Sequence, residues 1–347
     1  MKIIFFGKRK LIICIITALI ILTALFCAFS KDGSCTLTVT DALDTVSNIT
    51  VYGGIGKRKA ADKCAELIRK YDRRLSVNNP ESEIYGFNHS DGGSEFSEEV
   101  YNLIKACGEI YHDTDCRFDI TIGAVSRLWS GAFLSQRLPE SGAISKASAF
   151  TDYSALTFDD NSRTITKKAR EQELNLGAVA KGFIADRISE YLDSTDVSGA
   201  LIDLGGNIYV CGKNGKKGNW HIGIQDPNDS SSLIGLVEID SGFVITSGDY
   251  QRYLISDGVR YHHILNAKTG FPSESGLRSV TVISDNGFIG DALSTACFVS
   301  GLDNGIRLAK KYNVKAIFVT DDNKVYYSDE LDGNLTERNG NYSYSAF

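Results

Sequence analysis

The apolar positions of the chain change rhythm along its length. Between residues 57 and 76, KRKAADKCAELIRKYDRRLS sets Ala60, Cys64, Leu67, Ile68 and Tyr71 three or four residues apart, with basic residues between them. That is the spacing of an amphipathic helix with a solvated face. Just ahead of it, SNITVYG alternates as a strand that ends in a glycine turn. A second helix is expected over FSEEVYNLIKACGEIYHDT, leading into RFDITIGAVSRLW. Residues 135–170 read as a polar surface excursion closing in a hairpin, ALTFDDNSRTITKK, with Asp160 and Asn161 at its turn.

Short apolar runs punctuated by glycine then take over: LNLGAVAKGFIADRISEYL, GALIDLGGNIYVCGKNG, NWHIGIQDP and GLVEIDSGFVITSGDYQRYLI. Strands dominate, and helices fall between blocks of them without regular β-α-β alternation. The expected class is therefore α+β with mixed, largely antiparallel sheets. No internal repeat interrupts the pattern.

The first thirty residues are different material. After KRK at 8–10 comes LIICIITALIILTALFCAF, an uncharged apolar run long enough to cross a bilayer as a helix. Positive charge ahead of it predicts a membrane helix with the rest of the chain outside the cytoplasm. A cleaved signal peptide is the competing reading, and Cys27 is a lipidation candidate. The expected organisation is an anchor or signal segment at 1–30, a polar tether at 31–45 and one globular domain at 46–347.

With 43% hydrophobic and 23% charged residues in 347, the chain has a globular and not a disordered composition. The 37 basic and 43 acidic residues leave a net charge of −6, so no overall positive field draws nucleic acid. Of eight cysteines, Cys14 and Cys27 lie in the apolar run and the rest are scattered without a CxxC pair. That argues against zinc and leaves Cys107 with Cys116 as the nearest disulfide candidate.

Candidate chemistry concentrates in a few stretches. GGIGKR at 53–58 fails as a phosphate loop, because the required first glycine falls on Val51 and no Ser or Thr follows Lys57. LIDLGGNIYV is either a phosphate-holding strand turn of the kind found in actin-like ATPases or simply a tight turn that needs two glycines. In LNLGAVAKGFIAD a strand gives way to a helix N-terminus beside Lys181, an anion site or an ordinary turn with a surface lysine. ITSGDYQRYLISDGVRYHHILNAKTGFP gathers Ser247, Asp249, Arg252, His262, His263 and Lys268, the density of a binding loop. Neighbouring histidines on a strand point to opposite faces, so only one of them can face a site. In FIGDALSTACFVSG, Asp291 and Thr295 share a helix face four residues apart. The pair can share a hard cation such as Mg²⁺; alternatively, Asp291 answers the helix dipole and Thr295 bonds back to a carbonyl.

Six blocks in order, RFDITIG, LNLGAVAKGFIAD, IDLGGNIYVCGK, TSGDYQRY, YHHILNAKTGFP and DALSTACFV, make the chain similar to the ApbE family of FAD:protein FMN transferases from about residue 42 to about residue 302. The resemblance implies a T-fold-like α+β protein with two lobes around one flavin-binding cleft. It implies Mg²⁺ held by the side chains of Asp291 and Thr295 and the carbonyl of Ala178. FAD, as substrate, is expected to touch Phe118, Asp119, Asn175, Lys181, Ser247, Asp249, His263 and Ile264. The implied reaction moves the FMN half of FAD to a Thr or Ser hydroxyl of an acceptor protein and releases AMP, with Asp291, His263 and Lys181 as catalytic groups. Three positions depart from the family pattern: Asn175 stands for Asp, Ile120 for the proline of FDPT, and Asn78 for an aromatic that would grip the flavin ring. Two alternatives keep the same pocket: an FAD pyrophosphatase giving FMN and AMP, and a non-catalytic FAD-binding protein.

Overall fold

The protein is described by a computed structural model covering residues 33–215 and 218–347. Nine strands form one sheet whose spatial order follows the chain: β1 (Ser34–Ala42), β2 (Thr45–Tyr52), β3 (Gly199–Leu204), β4 (Asn207–Gly212), β5 (Gly242–Gly248), β6 (Leu277–Ser284), β7 (Lys315–Thr320), β8 (Lys324–Tyr327) and β9 (Ser343–Ala346). Neighbours are antiparallel except the last pair, which is parallel.

The helices enter as insertions between neighbouring strands. Residues 53–198 separate β2 from β3 and carry α1 (Lys57–Leu75), α2 (Glu98–Asp113), α3 (Gly123–Ser135) and α4 (Ala180–Asp193). Between β6 and β7 lie α5 (Gly287–Ser300) and α6 (Leu302–Lys311). Helix α1 forms where the periodicity places it and buries Ala60, Cys64, Leu67, Ile68 and Tyr71.

Strand alternation divides the sheet's side chains between two cores. Phe243 and Ile245 of β5, with Ala316 and Phe318 of β7, join the large core shared with α1, α2, α4 and α5. Val244, Ile317 and Val319 face a second core under a small sheet built from Trp220–Gln225, Leu233–Ile239 and Leu335–Thr336. With both faces covered, these strands carry near-continuous apolar runs. A third, smaller cluster joins Val125, Trp129 and Ala132 of α3 to Ile144 and Leu254, across the cleft from the main sheet.

The α+β class and the antiparallel pairing agree with the sequence reading, but three expectations need correction. Among the described residues no helix is long and apolar enough to cross a membrane, and the segment 1–30 that suggested one lies outside them. The membrane partner and the membrane-anchored, outward-facing localisation rested on that helix alone and are withdrawn with it. Residues 34–42, read as tether, are strand β1, paired to β2 from Ser34↔Tyr52 to Ala42↔Thr45; its threonines alternate outward and obscure the pattern. Cys107 and Cys116 are both free: Cys107 points into the core from α2, its thiol donating to the Leu103 carbonyl, whereas Cys116 sits past the helix end in a left-handed conformation. Within the expected excursion at 135–170 lies a short helix, Ser141–Ser148, that buries Ile144.

Candidate active site

Two helix starts meet beneath one cavity. The Gly182 carbonyl lies so near Gly287 that a Cβ on Gly287 would sit 2.4 Å from it, and a Cβ on Gly182 would sit 2.1 Å from the Gly287 carbonyl. Glycine at both positions lets α4 and α5 touch backbone to backbone. Each helix then satisfies the other's free N–H groups with a carboxylate. Asp186 of α4 accepts from Gly287 N (2.6 Å) and Phe288 N (2.8 Å), and Asp291 Oδ2 of α5 accepts from Gly182 N (2.8 Å). Asp291 is therefore not in the first turn of its own helix; it serves the first turn of the neighbouring one. Nor does Thr295 bond back to a carbonyl: Ser294 Oγ donates to the Asp291 carbonyl, while Thr295 Oγ1 lies 3.1 Å from Ser247 Oγ.

Above this junction opens a cavity of about 900 Å³, near the upper end of small-molecule sites. Its lining includes Phe118, Asp119, Asn175, Ala178, Lys181, Ser247, His263, Ile264, Asp291 and Thr295, so ten of the residues expected at the site share one cleft. Asp249 does not belong with them. It is buried under Arg278 (2.7 Å) and Arg260 (3.2 Å), where it ties the hairpin of Tyr253–Ser256 and Val259–His262 to β6.

The polar groups of the cleft differ in what they have left to offer a ligand. Asp119 accepts from Thr121 N and Oγ1 and from Tyr153 N, so its oxygens are spent on holding the loop, and burial pushes its carboxyl up to about 6. Asn175 closes an Asx turn onto Gly177 N and donates to Ser126 Oγ. Burial also raises the Asp291 carboxyl, opposed by the charge of Lys181, by the Asn207 side chain and by the Gly182 N–H. Lys181 is half-buried and makes no ion pair with any described residue. It is the cation facing Asp291.

The adjacent histidines separate as strand geometry requires. His262 is buried, its Nε2 against the Ser273 carbonyl and its Nδ1 accepting from Ile264 N, a fixed neutral ring in the core. His263 lines the cavity. Its Nδ1 lies 3.3 Å from the Arg252 carbonyl, which selects the tautomer with hydrogen on Nδ1 and leaves the Nε2 lone pair open. Burial, with His262, Arg252 and Lys181 nearby, lowers its pKa to about 4, so the ring is neutral at physiological pH.

Sequence reasoning placed Arg252 in a binding loop but passed over Asp186 and Asn207. Arg252 and Asn207 line the cavity, and Asp186 caps the helix that carries Asp291. A carboxylate four residues past a glycine at a helix start was the available signal for Asp186. One further expectation is corrected: among the described residues no group of three or more His, Cys, Asp or Glu could hold a metal ion.

Comparison with known proteins agrees with the six sequence blocks and the cleft they line. A sequence model of the ApbE family matches residues 43–318. The chain is 35% identical over 272 residues to an FAD:protein FMN transferase of Klebsiella pneumoniae, with 77% of this chain and 84% of that one covered. It is 30% identical over 306 residues to an FAD:protein FMN transferase of Treponema pallidum, covering 82% and 84%. Its fold matches the crystal structure of the ApbE protein of Thermotoga maritima with a TM-score of 0.80 at 31% identity, over 88% of this chain and 100% of the other. Since sequence and fold agree across the strands, both crossing helices and the cleft, the chain belongs to the ApbE family.

Proposed function

We propose that this chain transfers the FMN moiety of FAD to a Thr or Ser hydroxyl of an acceptor protein and releases AMP. One observation carries the reading. A buried carboxylate (Asp291), a cation with no ion pair among the described residues (Lys181) and a neutral imidazole with an open nitrogen (His263) line one cavity of about 900 Å³. Relatives of this chain bear the name FAD:protein FMN transferase, and the same three groups suit that chemistry.

The acceptor oxygen attacks the FMN phosphorus, forming a P–O bond as the bond to the bridging oxygen breaks and AMP departs with that oxygen. The hydroxyl proton passes to His263 Nε2. Lys181, at the start of α4, offsets charge on the phosphate that leaves. Exposed Asn78 lines the cavity where an aromatic is usual, so FAD is held as a turnover substrate and not as a resident flavin.

The residues present also suit a divalent cation that arrives with the diphosphate. Gly182 N–H occupies only Oδ2 of Asp291, leaving Oδ1 to join the Thr295 hydroxyl and the Ala178 carbonyl as hard oxygen ligands, with phosphate and water completing the shell. Magnesium so bound would neutralise the phosphoryl oxygens during transfer.

Asp291→Ala tests this reading. AMP release from FAD should fall on the order of 10²–10³-fold while FAD binding persists in part. Asp291→Asn, which keeps the shape against Gly182, should fall comparably. AMP release at the unsubstituted rate in a folded Asp291→Asn protein contradicts the proposal.

A further inference from the structure

The LIDLGGN turn has no role in the chemistry above, yet it is held from several sides. Gly205 and Gly206 take φ of +65° and +96°. A Cβ on Gly205 would lie 2.2 Å from Thr45 Oγ1, so the turn packs against the start of β2. The Gly206 N–H donates to Asp203 Oδ1 (2.9 Å), and its carbonyl accepts from Thr246 N (3.4 Å). The next residue, Asn207, opens β4 and pairs with Ile245. Its backbone is thus fixed, and the residue lines the same cavity as Asp291 and Lys181.

Asn207 is 1% exposed, and its Nδ2 has no hydrogen-bond partner. Other buried polar atoms among the described residues also lack partners, but Asn207 alone of them lines this cavity. The amide lies near enough to Asp291 to act on it as a weak donor and favour the ionised carboxylate, but no acceptor stands at full hydrogen-bond geometry to it among the described residues. A buried amide donor without an acceptor is unfavourable, and a ligand oxygen relieves it. The neighbouring Lys181 makes that oxygen an anionic one.

We propose that Asn207 is a phosphate-binding residue of the cleft, its side-chain amide donating to a non-bridging oxygen of the dinucleotide's diphosphate beside Lys181. The inference rests on the flavin-dinucleotide reading of the site and adds a contact to it. The second glycine then has a reason beyond the turn: Gly206 lets the chain reverse so that β4 starts with an amide facing the diphosphate.

The test compares equilibrium binding of FAD, ADP and adenosine, each with Mg²⁺, to the unsubstituted protein, Asn207→Leu and Asn207→Ala. Leu keeps the volume without the donor, and Ala serves if Leu does not fold. Affinity for FAD and ADP should fall about 10- to 100-fold with adenosine unchanged, so the preference for ADP over adenosine collapses. A merely structural role lowers all three together and leaves that preference intact, which overturns the inference. An unsubstituted protein that binds no FAD overturns the flavin reading itself; one that binds FAD while the variants keep their ADP preference overturns only the role of Asn207.

Discussion

At the scale of single residues, protonation separates groups that share one cleft. His263 is lowered from 6.5 to about 4, so the folded state favours the neutral ring. The stability this contributes is complete above pH 6.5 and is lost as pH falls towards 4. Asp119 runs the other way: raised from 3.8 to about 6, it contributes stability below pH 3.8 that is lost as pH rises through 6. For catalysis the sign is clear, because a base that stays unprotonated to about pH 4 keeps working where an ordinary histidine would fail. The acidic limb of kcat/KM should therefore lie near pH 4 to 5, and His263→Ala should slow single-turnover transfer by about 10²–10⁴-fold with little change in FAD binding. A limb centred at 6.5, or an unchanged rate in His263→Ala, contradicts the role of His263. The shared placement of Asp291 and Thr295 at the cleft was legible because helical spacing alone sets their common face. The pairing of Asp249 with Arg260 and Arg278 was not legible, because the two arginines come from other strands that local pattern does not connect to it.

Among elements, the crossing of α4 and α5 is the feature on which the site depends. Gly182→Ala places a methyl 2.1 Å from the Gly287 carbonyl and 2.5 Å from Asp291 Cβ, so the helices must part. Chemical denaturation should show a loss of about 1–3 kcal/mol, with activity falling further because Asp291 moves. Gly131→Ala in α3 is the matched control: nothing lies within 4 Å of its Cβ, and the substitution should stabilise by up to about 1 kcal/mol. Equal effects of the two substitutions would mean that the helix contact does not hold the site. Helices α1 and α2 were readable from period alone, as was the hairpin of Thr157–Asp159 and Thr164–Thr166. Strand β1 was not, because an edge strand with one wet face, SCTLTVTDA, has the composition of a linker.

The whole molecule explains what local pattern could not supply. Strands β2 and β3 pair along six residues, Ser47↔Leu204 to Tyr52↔Gly199, although residues 53–198 intervene. No period in the sequence announces that pairing, and the cleft exists because the insertion folds back over the sheet. The cleft is lined from both sides of this closure, by Asn175 and Lys181 of the insertion and by Asn207 and Ser247 of the sheet. Function was more legible than topology, since six short blocks carry most of the groups that line the cleft, whichever strands they occupy.

The most direct test of the central claim is mass spectrometry of an acceptor protein after incubation with this chain, FAD and Mg²⁺, with nucleotides quantified in the same reaction. The account predicts FMN joined through its phosphate to a Thr or Ser of the acceptor, with one AMP released for each FMN attached. Free FMN and AMP in equal amounts beside an unmodified acceptor would contradict it and identify the chain as a hydrolase of FAD.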